Sequence, residues 1–100
     1  MFLEQRPVSR KTPLDGKLEI SPAAAERLST FGDDLPLASG GREGRARLHA
    51  LACTCAKGAG GGHVHHFVES PILKALAPGT EVRVEVDEER SGVRIEPVPS

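Results

Sequence analysis

Thr80-Glu81-Val82-Arg83-Val84-Glu85-Val86-Asp87 is the stretch that decides the fold. Thr80, Val82, Val84 and Val86 have one parity; Glu81, Arg83, Glu85 and Asp87 have the other. Strict alternation gives a strand with an apolar face for a core and a charged face for water. Glu88-Glu89-Arg90-Ser91-Gly92 then reads as a hairpin loop. Val93 and Ile95 alternate with Arg94 and Glu96 in the returning strand, and Pro97 and Pro99 stop further pairing.

Upstream, Pro71 starts a short helix through Leu76, and Pro78-Gly79 ends it as a turn. Two longer strands precede it, Arg45–Cys55 and His63–Ser70, separated by the glycine-rich run Ala56–Gly62. Ala46, Leu48, Ala50 and Ala52 make a small apolar face on the first; Val64, His66 and Val68 answer on the second. Lys17–Ile20 is a short strand. Ser21-Pro22 then opens a helix, with Ser21 as N-cap, Pro22 at the first helical position and Gly32 as the stop. Residues 33–44 read as loop, with a brief strand at Leu35 and Leu37. Residues 1–15 read as an irregular arm that Phe2, Leu3 and Val8 pin to the body or to a partner subunit. The expected fold is mainly β (α+β). It is one domain over residues 16–97, a small barrel or strongly twisted antiparallel sheet with two short helices.

The chain has 100 residues and only three aromatics, Phe2, Phe31 and Phe67, so Val, Ile, Leu and Ala must build the core. Val64, Val68, Val82, Val84, Val86, Val93 and Ile95 are expected to carry the burial, with Leu18, Ile20, Leu28 and Leu48. So few rings exclude an aromatic stacking platform for single-stranded nucleic acid. A net charge of -1 gives no global drive towards nucleic acid or anionic membranes. Arg42, Arg45 and Arg47 form the one local basic cluster, read first as a solvated strand face and second as an anion or nucleic-acid patch. No window approaches the roughly 20 apolar residues of a membrane span. The first residues lack the apolar run of a signal peptide, so a cytoplasmic location is expected. In that reducing compartment, Cys53-Thr54-Cys55 points to metal or redox chemistry rather than to a disulfide.

The chemistry-bearing residues cluster on the central hairpin. With Cys55 opposite His63 and Cys53 opposite His65, Leu51 meets Phe67 and His49 meets Glu69, all on one face. Cys53, Cys55, His63 and His65 then converge as a four-ligand set, for which Zn²⁺ is the first choice. Cu(I), Ni(II) and Fe(II) are compatible with the same donors. His66 has the opposite parity and reads as a packing residue or one that supports a ligand. His49 with Glu69 reads as a cross-strand contact or as a pair that fixes a ligand tautomer. Phe67 would shield the site. A Cys–His nucleophile, a redox dithiol and a phosphate loop at Gly58–Gly62 each lack a required part: an oriented third residue, a helix start, and a Lys-Ser/Thr ending.

Four phrases carry a resemblance: Ile20-Ser21-Pro22 with Ala25-Glu26-Arg27-Leu28; Gly61-Gly62-His63; Leu73-Lys74-Ala75-Leu76; and Pro78-Gly79-Thr80-Glu81-Val82-Arg83-Val84-Glu85-Val86. Together, over residues 18–87, they resemble small bacterial domains with an AbrB-like β-barrel. Thr80 stands where that family has Asp, and the Cys/His set is no part of its pattern. The resemblance implies a barrel, and with it DNA binding or a homodimer. The leading functional expectation is a small metal-binding β domain with a structural or sensory role. A non-metal binding module contacting nucleic acid or protein comes second. A metal-dependent or Cys–His enzyme comes third.

Overall fold

The computed structural model describes residues 1–53 and 63–98. Seven strands form one curled sheet, a half-barrel: β1 (Phe2–Pro7), β2 (Lys17–Ile20), β3 (Asp34–Ser39), β4 (Arg42–Cys53), β5 (His63–Glu69), β6 (Glu81–Asp87) and β7 (Gly92–Pro97). Their order across the sheet is β1-β6-β7-β3-β4-β5-β2. Two helices, α1 (Thr12–Asp15) and α2 (Pro22–Ser29), and a 3₁₀ turn at Pro71–Ala75 complete the fold. The mainly β architecture expected from the alternation is therefore present.

The β6–β7 hairpin forms as its pattern dictates. Val84 pairs with Ile95 and Val86 with Val93. Val82, Val84, Val93 and Ile95 are fully buried, with Leu18, Ile20, Leu28, Leu35, Leu37, Val68 and Leu73. Helix α2 starts where Ser21 accepts a hydrogen bond from the Ala24 amide, and it buries Ala24, Ala25 and Leu28.

Three parts of the fold differ from the sequence expectation. Residues 1–15 are not an irregular arm: β1 pairs antiparallel with β6, and Thr12–Asp15 is helical. Period-two burial is weak in Phe2–Pro7, which packs at a sheet edge, so alternation does not announce it. Next, Asp34–Ser39 is a full interior strand despite Pro36. Its parallel ladder to β7 begins at Leu37, one residue beyond the missing N–H. Gly92 permits the close approach there, because a Cβ at that position would strike the Pro36 backbone carbonyl. Lastly, Val64 is 49% exposed rather than buried.

The two outer strands are tied to each other. Glu4 in β1 accepts hydrogen bonds from the Ser21 amide at 3.1 Å, just past β2, and from Arg6 at 3.0 Å. Burial pushes the Glu4 carboxyl up, but the hydrogen bonds from Ser21 and Arg6 and the Arg6 charge outweigh it. The net effect holds its pKa below the usual carboxylate value. Side chains also occupy backbone groups of edge strand β2. The Lys17 amide donates to Asp15 and the Lys17 carbonyl accepts from Thr12. An edge so covered is a poor template for another strand.

Candidate functional site

β4 changes partner along its length. Residues 42–47 pair with β3, and residues 47–53 pair with β5. β5 in turn pairs with β2 only from His66 to Glu69. Residues 51–53 and 63–65 therefore form a two-stranded ribbon that projects past the rest of the sheet. This fits the exposure of Val64, at 49%, and of Leu51, at 45%: among the described residues no further strand pairs with this part of the ribbon. A two-stranded ribbon by itself is marginally stable in water.

The ribbon's register brings Cys53 opposite His63, Leu51 opposite His65, His49 opposite Phe67 and Arg47 opposite Glu69. This corrects the expected pairing by two residues. Cys53 does not face His65, and His49 does not face Glu69. The parity is unchanged, so each residue stays on its expected face. The observed register sets Leu48 against Val68, the largest apolar pair on the inner face, and sets Arg47 against Glu69. Both matches favour it over the register read from the Cys/His pattern.

Cys53 and His63 are thus a cross-strand pair of positions, with His65 two residues along. Cys55, the fourth expected ligand, lies outside the described residues, as does the glycine run Gly58–Gly62. Among the described residues, no group of three or more His, Cys, Asp or Glu comes together in a metal-binding arrangement.

The carboxylate beside His65 was not legible in the hairpin. It comes from β2: His65 Nδ1 lies 2.8 Å from Glu19 Oε2. A carboxylate can only accept, so Nδ1 carries the proton and Nε2 is the nitrogen that would take a metal. Glu19 pairs with Phe67 in the β2–β5 ladder, diagonal to His65. Finding that partner needs the β2–β5 pairing, which no local pattern in the hairpin gives.

His66 faces the other way. It pairs with Ala50 and Ile20 and lines a groove of about 420 Å³ beneath α2, together with His49, Glu26 and Asp33. His49 also borders that groove, but its ladder position lies on the opposite face from His66, across from Phe67 and not Glu69. Phe67, half-buried, lies with His65 and Leu51 along a different groove.

The arginine cluster is interleaved with carboxylates. Arg45 makes a 3.0 Å ion pair with Asp34, and Arg47 is opposite both Asp34 and Glu69 in the ladders. Neighbouring Glu43 bonds Arg90, and that hydrogen bond and charge hold the Glu43 carboxyl below its usual pKa. Arg42 is exposed at the β3–β4 turn. A phosphate backbone would meet alternating charge here, not a basic stripe.

No helix among the described residues is long and apolar enough to cross a membrane. The fold and the ribbon define a curled, mainly β domain with a Cys/His-bearing hairpin. No protein-family model, curated protein or solved structure matches this chain.

Proposed function

We propose that this chain is a small transition-metal-binding β domain whose projecting β4–β5 ribbon holds the metal, with Zn²⁺ first and Cu(I), Ni(II) or Fe(II) as compatible occupants. The ligand set is Cys53, Cys55, His63 and His65, and the role is structural or sensory. The observation that carries this reading is the ribbon register, which makes Cys53 and His63 direct partners beside a His65 already oriented by Glu19. Thiolate and imidazole are the donors Zn²⁺ prefers, and metal-ligating histidines usually give their other ring nitrogen to a carboxylate. The location adds a physical motive. A two-stranded ribbon with exposed Leu51 and Val64 lacks apolar burial, and a metal staple would supply the missing stabilisation. Bound there, the ion would cross-link the strands, while Glu19 holds the His65 ring and its tautomer.

The resemblance to AbrB-like barrels supports a second reading, a module that contacts nucleic acid or protein, because the sheet is curled. Arg45 and Arg47 are matched by Asp34 and Glu69, so the metal reading comes first. Titration of the metal-free protein with Co²⁺ separates the two. A thiolate-to-cobalt charge-transfer band that saturates, and that vanishes in Cys53→Ser, supports the metal site. No band in the wild-type protein removes it.

A further inference from the structure

A groove of about 510 Å³ runs between the α1 corner and the outer face of the ribbon. Its volume lies within the roughly 300–1,000 Å³ of small-molecule sites. We propose that it binds a small amphipathic anion: a carboxylate carrying a hydrocarbon body.

The apolar half of the site is Leu51 and Phe67. Leu51 is 45% exposed on β4, and Phe67 is half-buried two positions past His65 on β5. A large aliphatic side chain left this open beside a ring offers burial to an apolar ligand. The charged half is Arg10, Lys11 and Lys17, all of which line the same groove. Among the described residues, none of these three cations forms an ion pair. Most of the other arginines behave differently: Arg6, Arg45, Arg83, Arg90 and Arg94 each have a carboxylate within reach.

Two carboxylates also border the groove, and both are already engaged. Asp15 accepts from the Lys17 amide at 3.0 Å, and Glu19 is held by His65 at 2.8 Å. The cations outnumber the carboxylates by three to two, and the cations are the groups that lack partners. A ligand of matching chemistry therefore has a negative head and an apolar tail. Its head would meet Arg10, Lys11 and Lys17, and its tail would lie on Leu51 and Phe67. The groove shares His65 and Glu19 with the proposed metal site but uses none of Cys53, Cys55 and His63, so its occupancy is read on metal-free protein, where a failure to bind leaves the metal reading untouched.

Sodium decanoate is the probe, added to protein kept metal-free with chelator and followed by calorimetry and by amide NMR shifts. Saturable binding is expected, with shifts centred on residues 10–19, 51 and 65–67. The combined variant Arg10→Gln, Lys11→Gln, Lys17→Gln should weaken it by about tenfold or more, and ~1.4 kcal/mol corresponds to tenfold. Leu51→Asn should weaken it while the melting temperature holds, since Leu51 lies outside the core. Arg45→Gln, whose arginine pairs with Asp34 elsewhere, should leave it unchanged. The proposal fails if decanoate does not saturate, or if Arg45→Gln weakens binding as much as the triple variant does. It also fails if inorganic phosphate or decanol binds as well as decanoate, because head and tail would then not both be read.

Discussion

Replacing Glu4 tests whether the two outer strands of the curled sheet are held together as described. Its side chain is 16% exposed and accepts from the Ser21 amide and from Arg6. Hydrogen bonds to a charged group contribute about 1.5–3 kcal/mol. The Arg6 pair is partly open to water, so its share falls towards the 0–1 kcal/mol of surface pairs. Glu4→Ala should therefore cost about 2 kcal/mol, mostly through the Ser21 amide at the start of α2. For a domain of this size each 1 kcal/mol moves Tm by about 4–8 °C, so a drop of roughly 8–16 °C is expected. Glu4→Gln keeps an acceptor and loses the charge, and should fall between the two.

The pH dependence has a definite sign. The folded Glu4 pKa is lowered, so its contribution is complete above the unfolded carboxylate value of about 4.3. It is lost as pH falls through the lower folded value. Thermal melts across that acid range should show a shallower slope in Glu4→Gln than in the wild-type protein. An Ala variant melting within about 2 °C of wild type, which would be far below the shift expected for its size, would refute the tie. So would Gln and wild-type acid limbs that run parallel.

Other substitutions probe other parts. Gly16 has φ of 72°, and an added Cβ would lie 2.6 Å from the Ser70 carbonyl oxygen, so Gly16→Ala should cost about 2 kcal/mol or more in urea unfolding. Leu73→Ala, at a fully buried position under the sheet, should cost about 2–5 kcal/mol by the same assay. Ser21→Ala should cost about 1 kcal/mol by removing the α2 cap. Glu19→Gln should weaken metal binding by about 10–100-fold. It should change the metal-free melting temperature little, because the His65 pair is half-exposed. An unchanged metal affinity would remove Glu19 from its positioning role.

Much of the fold was readable because one face of each long strand is apolar at period two. Val82, Val84 and Val86 fixed β6, Val93 and Ile95 fixed β7, and the Ser21-Pro22 cap fixed α2. Strand β1 was not readable, because its stability comes from pairing with β6 and from the Glu4 contact to Ser21 rather than from its own pattern. Pro36 hid β3, since only the tertiary arrangement shows that the parallel ladder starts after it.

The candidate site was readable by face but not by register. Parity placed Cys53, His63 and His65 together, and that holds for any even slip of the hairpin. The Cys/His pattern could not choose between even slips. The inner-face match of Leu48 with Val68, together with Arg47 against Glu69, did. Glu19 was invisible for the same reason, because it reaches His65 from a strand more than forty residues away, |i−j| being 46.

Whether the β4–β5 ribbon holds a metal is decided by the metal content of the untagged protein, read alongside melting with and without chelator. One Zn²⁺ or related ion per chain is expected, lost in Cys53→Ser, with a melting temperature that falls when chelator removes it. Protein that carries no metal, takes up none from a Zn²⁺ buffer and melts identically with chelator would contradict that expectation.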